Sequence, residues 1–562
     1  FEKGTYVYFT PGPSLLGKKV FLYTNYVVSE NEEEKGEQPE FVRNQYYGLE
    51  WRRAGPGGDE QPLGAGALVC DTDLYCRLRL ARAGCFHYYF VYETAESTLG
   101  PQGSGWLQVA PSLHLPLDAV CCQTVLAKCL GPLPRWPAAL RAAAEAGYNM
   151  LHFTPVQELG ASRSSYSIAD QLRLNPAFGG SLADLEHVLA TLRADWKMLS
   201  ICDVVLNHTA NESAWLAEHP EAAYNCLNCP HLRPAAALDA SLARLSAAVA
   251  RGDLDAQGIP KRVCEPQHLE AIQRVLETQL VPALRLHEMF TCDVDRVVQE
   301  FYCLARNKVP AVKAAAAEGE ELKLQPDPQY RRLHAAVDME RALQLYNVYR
   351  PECYDEDSRL KRCCEELRQR LLQLNAAAED AVRAHLQAAV DNCIAGMRYH
   401  RLQSDGPRIQ EVSEKNPLVP RYFAWVGAAP PDAEAGAGAE AEAEAEAALY
   451  DARGAHCMAH NGWVMAADPL QDFAATGSVY LRRELIAWGD SVKLRYGDAP
   501  AACPPLWARM RDYVELTAEL FDGLRLDNCH STPLHVSTPP HPALPSSSLC
   551  VNLAHRTHRT KV

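Results

Sequence analysis

Three segments of helical spacing each run into a short apolar stretch, and that order most restricts what this chain can fold into. Pro137 to Ala146 is an alanine-rich helix stopped by Gly147 and followed by the strand Tyr148 to Thr154. Ser181, with Asp184 three residues on, starts a second helix that carries Leu182, Leu185, Val188, Leu189 and Leu192 on one face; the strand Met198 to Val205 follows. The third runs from Trp507 to Phe521 with Met510, Tyr513, Val514, Thr517 and Leu520 along a stripe, then Gly523 and the strand Leu524 to Asp527. With the apolar strand Val120 to Leu126 ahead of them, these steps predict an α/β fold with a parallel sheet, because strands buried on both faces need helices to cover them.

Parallel strands of a (β/α)8 TIM barrel offer only their C-terminal ends to substrate, so polar residues that interrupt an apolar strand there mark candidate chemistry. Two clusters fit. Asp203-Val204-Val205-Leu206-Asn207-His208 ends one strand, and Leu524-Arg525-Leu526-Asp527 ends another. Arg525 and Asp527 alternate on a strand and face the same side, so the guanidinium is expected to keep Asp527 ionised, as a glycosidic nucleophile must be.

Composition narrows the partners. The net charge is −15 and no basic stripe interleaved with aromatics occurs, which argues against nucleic acid and for a neutral polymer. At 562 residues the chain holds more than one domain or one barrel with large insertions. Its 20 cysteines are scattered, with vicinal pairs at Cys121-Cys122 and Cys363-Cys364, and no signal peptide or long apolar run appears. Reduced thiols, a cytoplasmic location and no membrane partner are the expectation. The first residue is Phe1 rather than Met, which reads as a fragment boundary. Cys226-Leu227-Asn228-Cys229-Pro230-His231 has only half a zinc spacing, so neither a metal nor any other cofactor is expected.

Residues 1–117 are strand-rich, with aromatic and β-branched runs such as Lys19 to Val28 and Cys85 to Tyr92, and predict an N-terminal β-sandwich. Trp106 and several tyrosines there could stack on sugar, although aromatics at strand spacing usually form core. Residues 118–536 would hold the barrel portion. More than three hundred residues separate His208 from Gly523, so a large, mostly helical insertion is expected at about 209–505. Its helices show in Leu269 to Leu286, Asp338 to Tyr346 and Cys363 to Met397, while Ala433 to Ala448 is nearly pure Ala, Glu and Gly and predicts a solvated, partly helical loop. Residues 537–562 have no periodicity and read as an unrelated, disordered tail.

Several segments in order then carry a resemblance: Gly147 to Pro155, Ser165-Tyr166-Ser167, Asp203 to His208, His460-Asn461-Gly462-Trp463-Val464-Met465, Trp488 to Gly497, and Arg525 to Ser531. Together they resemble the eukaryotic glycogen debranching enzymes, in their N-terminal 4-α-glucanotransferase half, which is similar to the α-amylase superfamily. The resemblance covers nearly all of residues 5–536. It implies that Asp527 is the nucleophile and Arg525 its charge partner, that Asp203 braces the site from below, and that Asn207 and His208 line the sugar subsite. It also implies that Tyr166 stacks on the same sugar, that Asn528 contacts it, and that His530 belongs to the active site. Glycogen and other α-1,4/α-1,6 glucans would be the partners.

Only four candidate barrel strands occur (near 120, 148, 198 and 524), whereas a closed barrel needs eight, and no later segment offers the Glu acid/base or third carboxylate of the superfamily. The expected fold is therefore an incomplete TIM barrel, the chain lacking the α-1,6-glucosidase half. Two alternatives stay open at this level: an amylase-type α-glucan hydrolase, and an inactive truncated glucan-binding fragment.

Overall fold

The computed structural model describes residues 1–27, 45–54, 60–70, 73–93, 102–110, 117–307, 321–428, 439–468, 470–533 and 536. The 537–562 tail therefore lies outside the described residues. The chain divides into two compact units, one of residues 1–207 with 496–562 and one of 208–495.

In the first unit, the strands before residue 110 form two antiparallel sheets. One orders Tyr6–Phe9, Leu74–Arg79, Trp51–Ala54 and Glu60–Gly64. The other orders Tyr47–Gly48, Lys19–Thr24, Gly84–Tyr92 and Gly103–Val109, with Gly66–Leu68 also paired to Lys19–Phe21. The alternation of the sequence sets their inner faces: Val20, Leu22, Phe86, Leu107 and Val109 from one sheet and Trp51, Leu74, Cys76 and Leu78 from the other share a single buried core.

The four α/β strands are Cys122–Val125, Met150–Phe153, Leu199–Val205 and Gly523–Asp527, and they pair in that order, all parallel. The helices between them begin and end where local chemistry directs. Ser181 caps Leu182–Trp196 with a reciprocal hydrogen-bond pair to Asp184, the capping box read from the sequence. Gly147 takes φ +88 behind Trp136–Glu145, a left-handed turn that a side chain would strain. Trp136, Leu140, Leu185, Leu189 and Leu192 from these helices bury Leu151, Phe153 and Cys202, which are the outward members of the strands. The opposite sheet face is different. Met150, Leu199 and Ile201 pack together low on it, and above them the side chains turn polar.

The second unit is mainly helical, with Arg233–Arg251, Pro266–Val275, Val294–Asn307, Met339–Tyr346 and the 43-residue Glu356–Arg398. The span expected as one helix, Leu269 to Leu286, passes through a wider π turn at Leu276–Leu280 before Val281–Leu284. Ala439–Ala447 of the alanine–glutamate stretch is a helix. A feature not expected from the sequence is an antiparallel sheet ordering His208–Ala210, Ile486–Lys493, Cys457–Trp463 and Phe423–Trp425. No helix among the described residues is long and apolar enough to cross a membrane.

Candidate active site

Register explains why the polar residues meet. In the parallel sheet Thr124 lies opposite His152, His152 opposite Ile201, Ile201 opposite Gly523, and Asp203 opposite Arg525. Since side chains alternate with period two, Thr124, His152, Asp203, Arg525 and Asp527 all project from the face that the helices leave uncovered, near the C-terminal strand ends. Tyr166 joins them from the turn between the paired strands Gln157–Leu159 and Ile168–Leu174. That hairpin is tied down by Arg509, whose Nη2 donates to Asp170 Oδ1 at 2.6 Å and whose Nε donates to Gln171 Oε1 at 3.1 Å.

Asp203 is the hub. Its side chain is fully buried; Oδ1 accepts from Arg525 Nη1 at 2.6 Å and lies 2.9 Å from His152 Nε2, while Oδ2 accepts from the Tyr166 hydroxyl at 3.1 Å. A buried carboxylate is tolerated only when such donors replace water. Burial, followed by the Asp203 charge, pushes the Tyr166 phenol up to about 12, so Tyr166 stays a donor. The Asp203 hydrogen bond is also the main influence that raises Arg525 above its ordinary value.

Asp527 sits at the end of the last strand, with Arg525 Nη1 3.2 Å from Oδ1 and Asn528 Nδ2 donating to Oδ2 at 2.8 Å. Arg525 is not the largest influence on Asp527. Burial raises the Asp527 pKa above its ordinary value, the Asp203 charge raises it further, and Arg525 reverses this only in part. The reason is geometric: Arg525 is held closer to Asp203 than to Asp527, so its field is largely spent on the deeper carboxylate.

The remaining expected residues are placed differently. Asn207 is buried and donates from Nδ2 to Ser531 Oγ at 2.7 Å, and Ser531 Oγ in turn donates to the Asn528 carbonyl, so Asn207 holds the turn after the strand. Asn528 occupies that turn at φ +51, a left-handed conformation that asparagine tolerates better than most residues. His530 is exposed on the single turn Cys529–Ser531. His208 opens the second unit, where it is buried, with Nδ1 3.1 Å from Asn461 Nδ2 and its ring 5.9 Å from that of Trp488.

His152 and Thr124 were not singled out from the sequence. His152 Nδ1 lies 3.1 Å from Thr124 Oγ1, and His152 Nε2 lies 2.9 Å from Asp203 Oδ1. The signal was present: His152 is a polar residue inside the apolar strand Met150–Phe153, the same kind of interruption that marks Asp203.

Two carboxylates and an arginine gathered at the C-terminal ends of parallel strands that helices cover from behind form the kind of site an α/β enzyme carries. The glucanotransferase-domain model of glycogen debranching enzyme matches residues 113–539, and the model of the N-terminal domain from the human glycogen debranching enzyme matches residues 7–116. The chain belongs to the glycogen debranching enzyme family. It is 32% identical over 486 residues to the glycogen debranching enzyme of Saccharomyces cerevisiae, a match that covers 82% of this chain and spans only 29% of the yeast protein. Among solved structures, a maltogenic α-amylase from Thermotoga neapolitana aligns at 20% identity and TM-score 0.18 over 19% of this chain and 28% of that one. An α-amylase from Lactobacillus plantarum aligns at 25% identity with the same TM-score and coverage. Both overlaps are too short to bear on the fold.

Proposed function

We propose that the chain carries a 4-α-glucanotransferase site that moves short α-1,4-linked oligosaccharides between glucan chains by a retaining double displacement. The observation that supports it best is the Asp527–Arg525–Asp203 array at the ends of adjacent parallel strands. In this reading the Asp527 carboxylate attacks the anomeric carbon as the glycosidic bond breaks and a general acid protonates the departing 4-oxygen, giving a glycosyl-Asp527 ester; the 4-hydroxyl of an acceptor chain then takes the glycosyl group, returns its proton to that acid's conjugate base and frees Asp527. Asp203 is not the proton donor to the leaving oxygen, because Arg525 and Tyr166 donate to its oxygens. It fixes Arg525 instead. Tyr166 and Asn528 contact the sugar beside Asp527, Asn207 holds the turn that carries Asn528, and His530 approaches from the exposed turn. The reading also takes residues 1–117 as a separate β-domain and 118–536 as the catalytic portion, with glycogen as the substrate and no cofactor required.

Incubation of the full-length parent protein with maltopentaose should give a ladder of longer and shorter maltooligosaccharides with little free glucose. Mainly glucose and maltose, without lengthened products, would instead support the hydrolase reading. A second expectation follows from the electrostatics. Asp203→Asn removes a charge that raises the Asp527 pKa and releases Arg525 toward Asp527, so both effects lower that pKa. The acid limb of kcat/KM should move to lower pH even as the rate drops. A pH–rate profile whose acid limb stays put or moves up would break this link between the two carboxylates.

A further inference from the structure

The outer face of one N-terminal sheet carries an aromatic row that the core does not use. Tyr23 lies opposite Tyr89 and His87 opposite Trp106 across adjacent strands, all on the side away from the sandwich interior. The Tyr23 and Tyr89 rings stack at 5.2 Å between centroids. Tyr46 packs edge-on against Tyr89 at 5.1 Å and lies within hydrogen-bond distance of His87, with its hydroxyl 2.9 Å from Nδ1. At the end of the row the Trp106 ring lies 4.8 Å from His87, on the edge strand Gly103–Val109, and Trp106 remains 62% exposed. The tyrosines and His87 brace one another, and the indole, supported by His87, is the ring left open.

An exposed indole at the end of a row of braced aromatic rings presents a flat apolar surface that a ligand can cover. The chemistry of the row selects the occupant. Tyr23, Tyr46, Tyr89, His87 and Trp106, with Ser104 opposite Tyr89, offer ring faces and uncharged hydrogen-bonding groups, while the aliphatic Leu68 and the Lys19–Glu93 pair lie at the far end of the same sheet face. A protein partner would be met by an aliphatic-rich patch and an anion by lysine or arginine; a pyranose presents C–H faces to a ring and hydroxyls to phenol, imidazole and serine. We infer that this face binds a segment of an α-1,4-linked glucan chain, with a glucose ring stacked on Trp106, and so holds the polymer at a place separate from Asp527. The choice of an α-glucan rests on the family's substrate; the binding face itself does not rest on the assignment of Asp527.

The test is co-sedimentation of the 562-residue chain with glycogen, with cellulose, a β-linked glucan, as the control polymer. Glycogen should retain the protein and cellulose should not. Trp106→Ala should weaken retention about tenfold, the equivalent of about 1.4 kcal/mol, and Trp106→Phe should keep most of it. Because Trp106 is largely exposed, the thermal transition should not move, which separates lost binding from lost fold. Failure of all variants and the parent to disproportionate maltopentaose would count against the proposed function while leaving the retention assay readable. Equal retention of Trp106→Ala and the parent, or no retention of the parent, overturns the glucan face.

Discussion

Asp527→Asn should lower the rate of maltooligosaccharide disproportionation at least ~10²-fold, the usual minimum for loss of a residue that takes part in bond making. Asparagine keeps the shape and can still accept from Arg525 Nη1, which now lies 3.2 Å from Oδ1. What it removes is the second nucleophilic oxygen and the negative charge, and with them the covalent ester. Raised by burial and by Asp203, the Asp527 carboxyl is unusual in being only partly stabilised as an anion by its arginine. That suits a nucleophile, because a carboxylate held too firmly by a guanidinium is a weaker one. The thermal transition should barely change, since no packed atom is removed. A variant that keeps more than about a hundredth of the parent rate, assayed side by side from equal termini, would mean that another group attacks the sugar.

The sequence showed the strands and helices around this site because their signals are local. Each helix announced itself by apolar spacing and a cap, as at Ser181 and Gly147, and each parallel strand lay within a few residues of its expected place. The pairing of Asp203 with Arg525 also came close to legible, because both interrupt apolar strands at the same end. His152 did not stand out, since its meaning depends on which residue of a neighbouring strand it faces, and register is a property of two strands at once. The direction of the Asp527 shift is not legible in the sequence for a related reason: proximity to Arg525 can be read from spacing, but burial and the competing claim of Asp203 on the same guanidinium cannot. The antiparallel sheet of the second unit was hidden by shortness. Phe423–Trp425 and His208–Ala210 are three residues each, too brief for period-two alternation to emerge.

That sheet is the setting of the second large effect. Asp239, on the helix Arg233–Arg251, is almost fully buried; Oδ2 accepts from Arg421 Nε at 2.7 Å, and Oδ1 accepts from the Tyr422 backbone N–H at 2.9 Å and from Arg483 Nη1 at 2.5 Å. Arg483 is buried too, its guanidinium lying over the Tyr422 ring at 3.7 Å from the centroid and donating to the Pro420 carbonyl. The backbone N–H of His460 in turn bonds to the Tyr422 carbonyl, and the next residue, Asn461, is the one that holds His208. Asp239→Ala should therefore cost about 3–5 kcal/mol, because it strands a buried guanidinium and a backbone donor rather than trading one solvated contact for another. Burial acts to raise the Asp239 pKa, yet Arg421, Arg483 and the Tyr422 N–H together lower it below the ordinary aspartate value. A depressed carboxylate contributes stability that is present above the unfolded-state pKa and is lost as pH falls through the folded-state pKa. Parent and variant should thus differ most in urea midpoint near neutral pH and converge in acid. A urea series at several pH values checks both signs, and a variant within about 1 kcal/mol of the parent at neutral pH would show that Arg483 and Arg421 find other partners when Asp239 is gone.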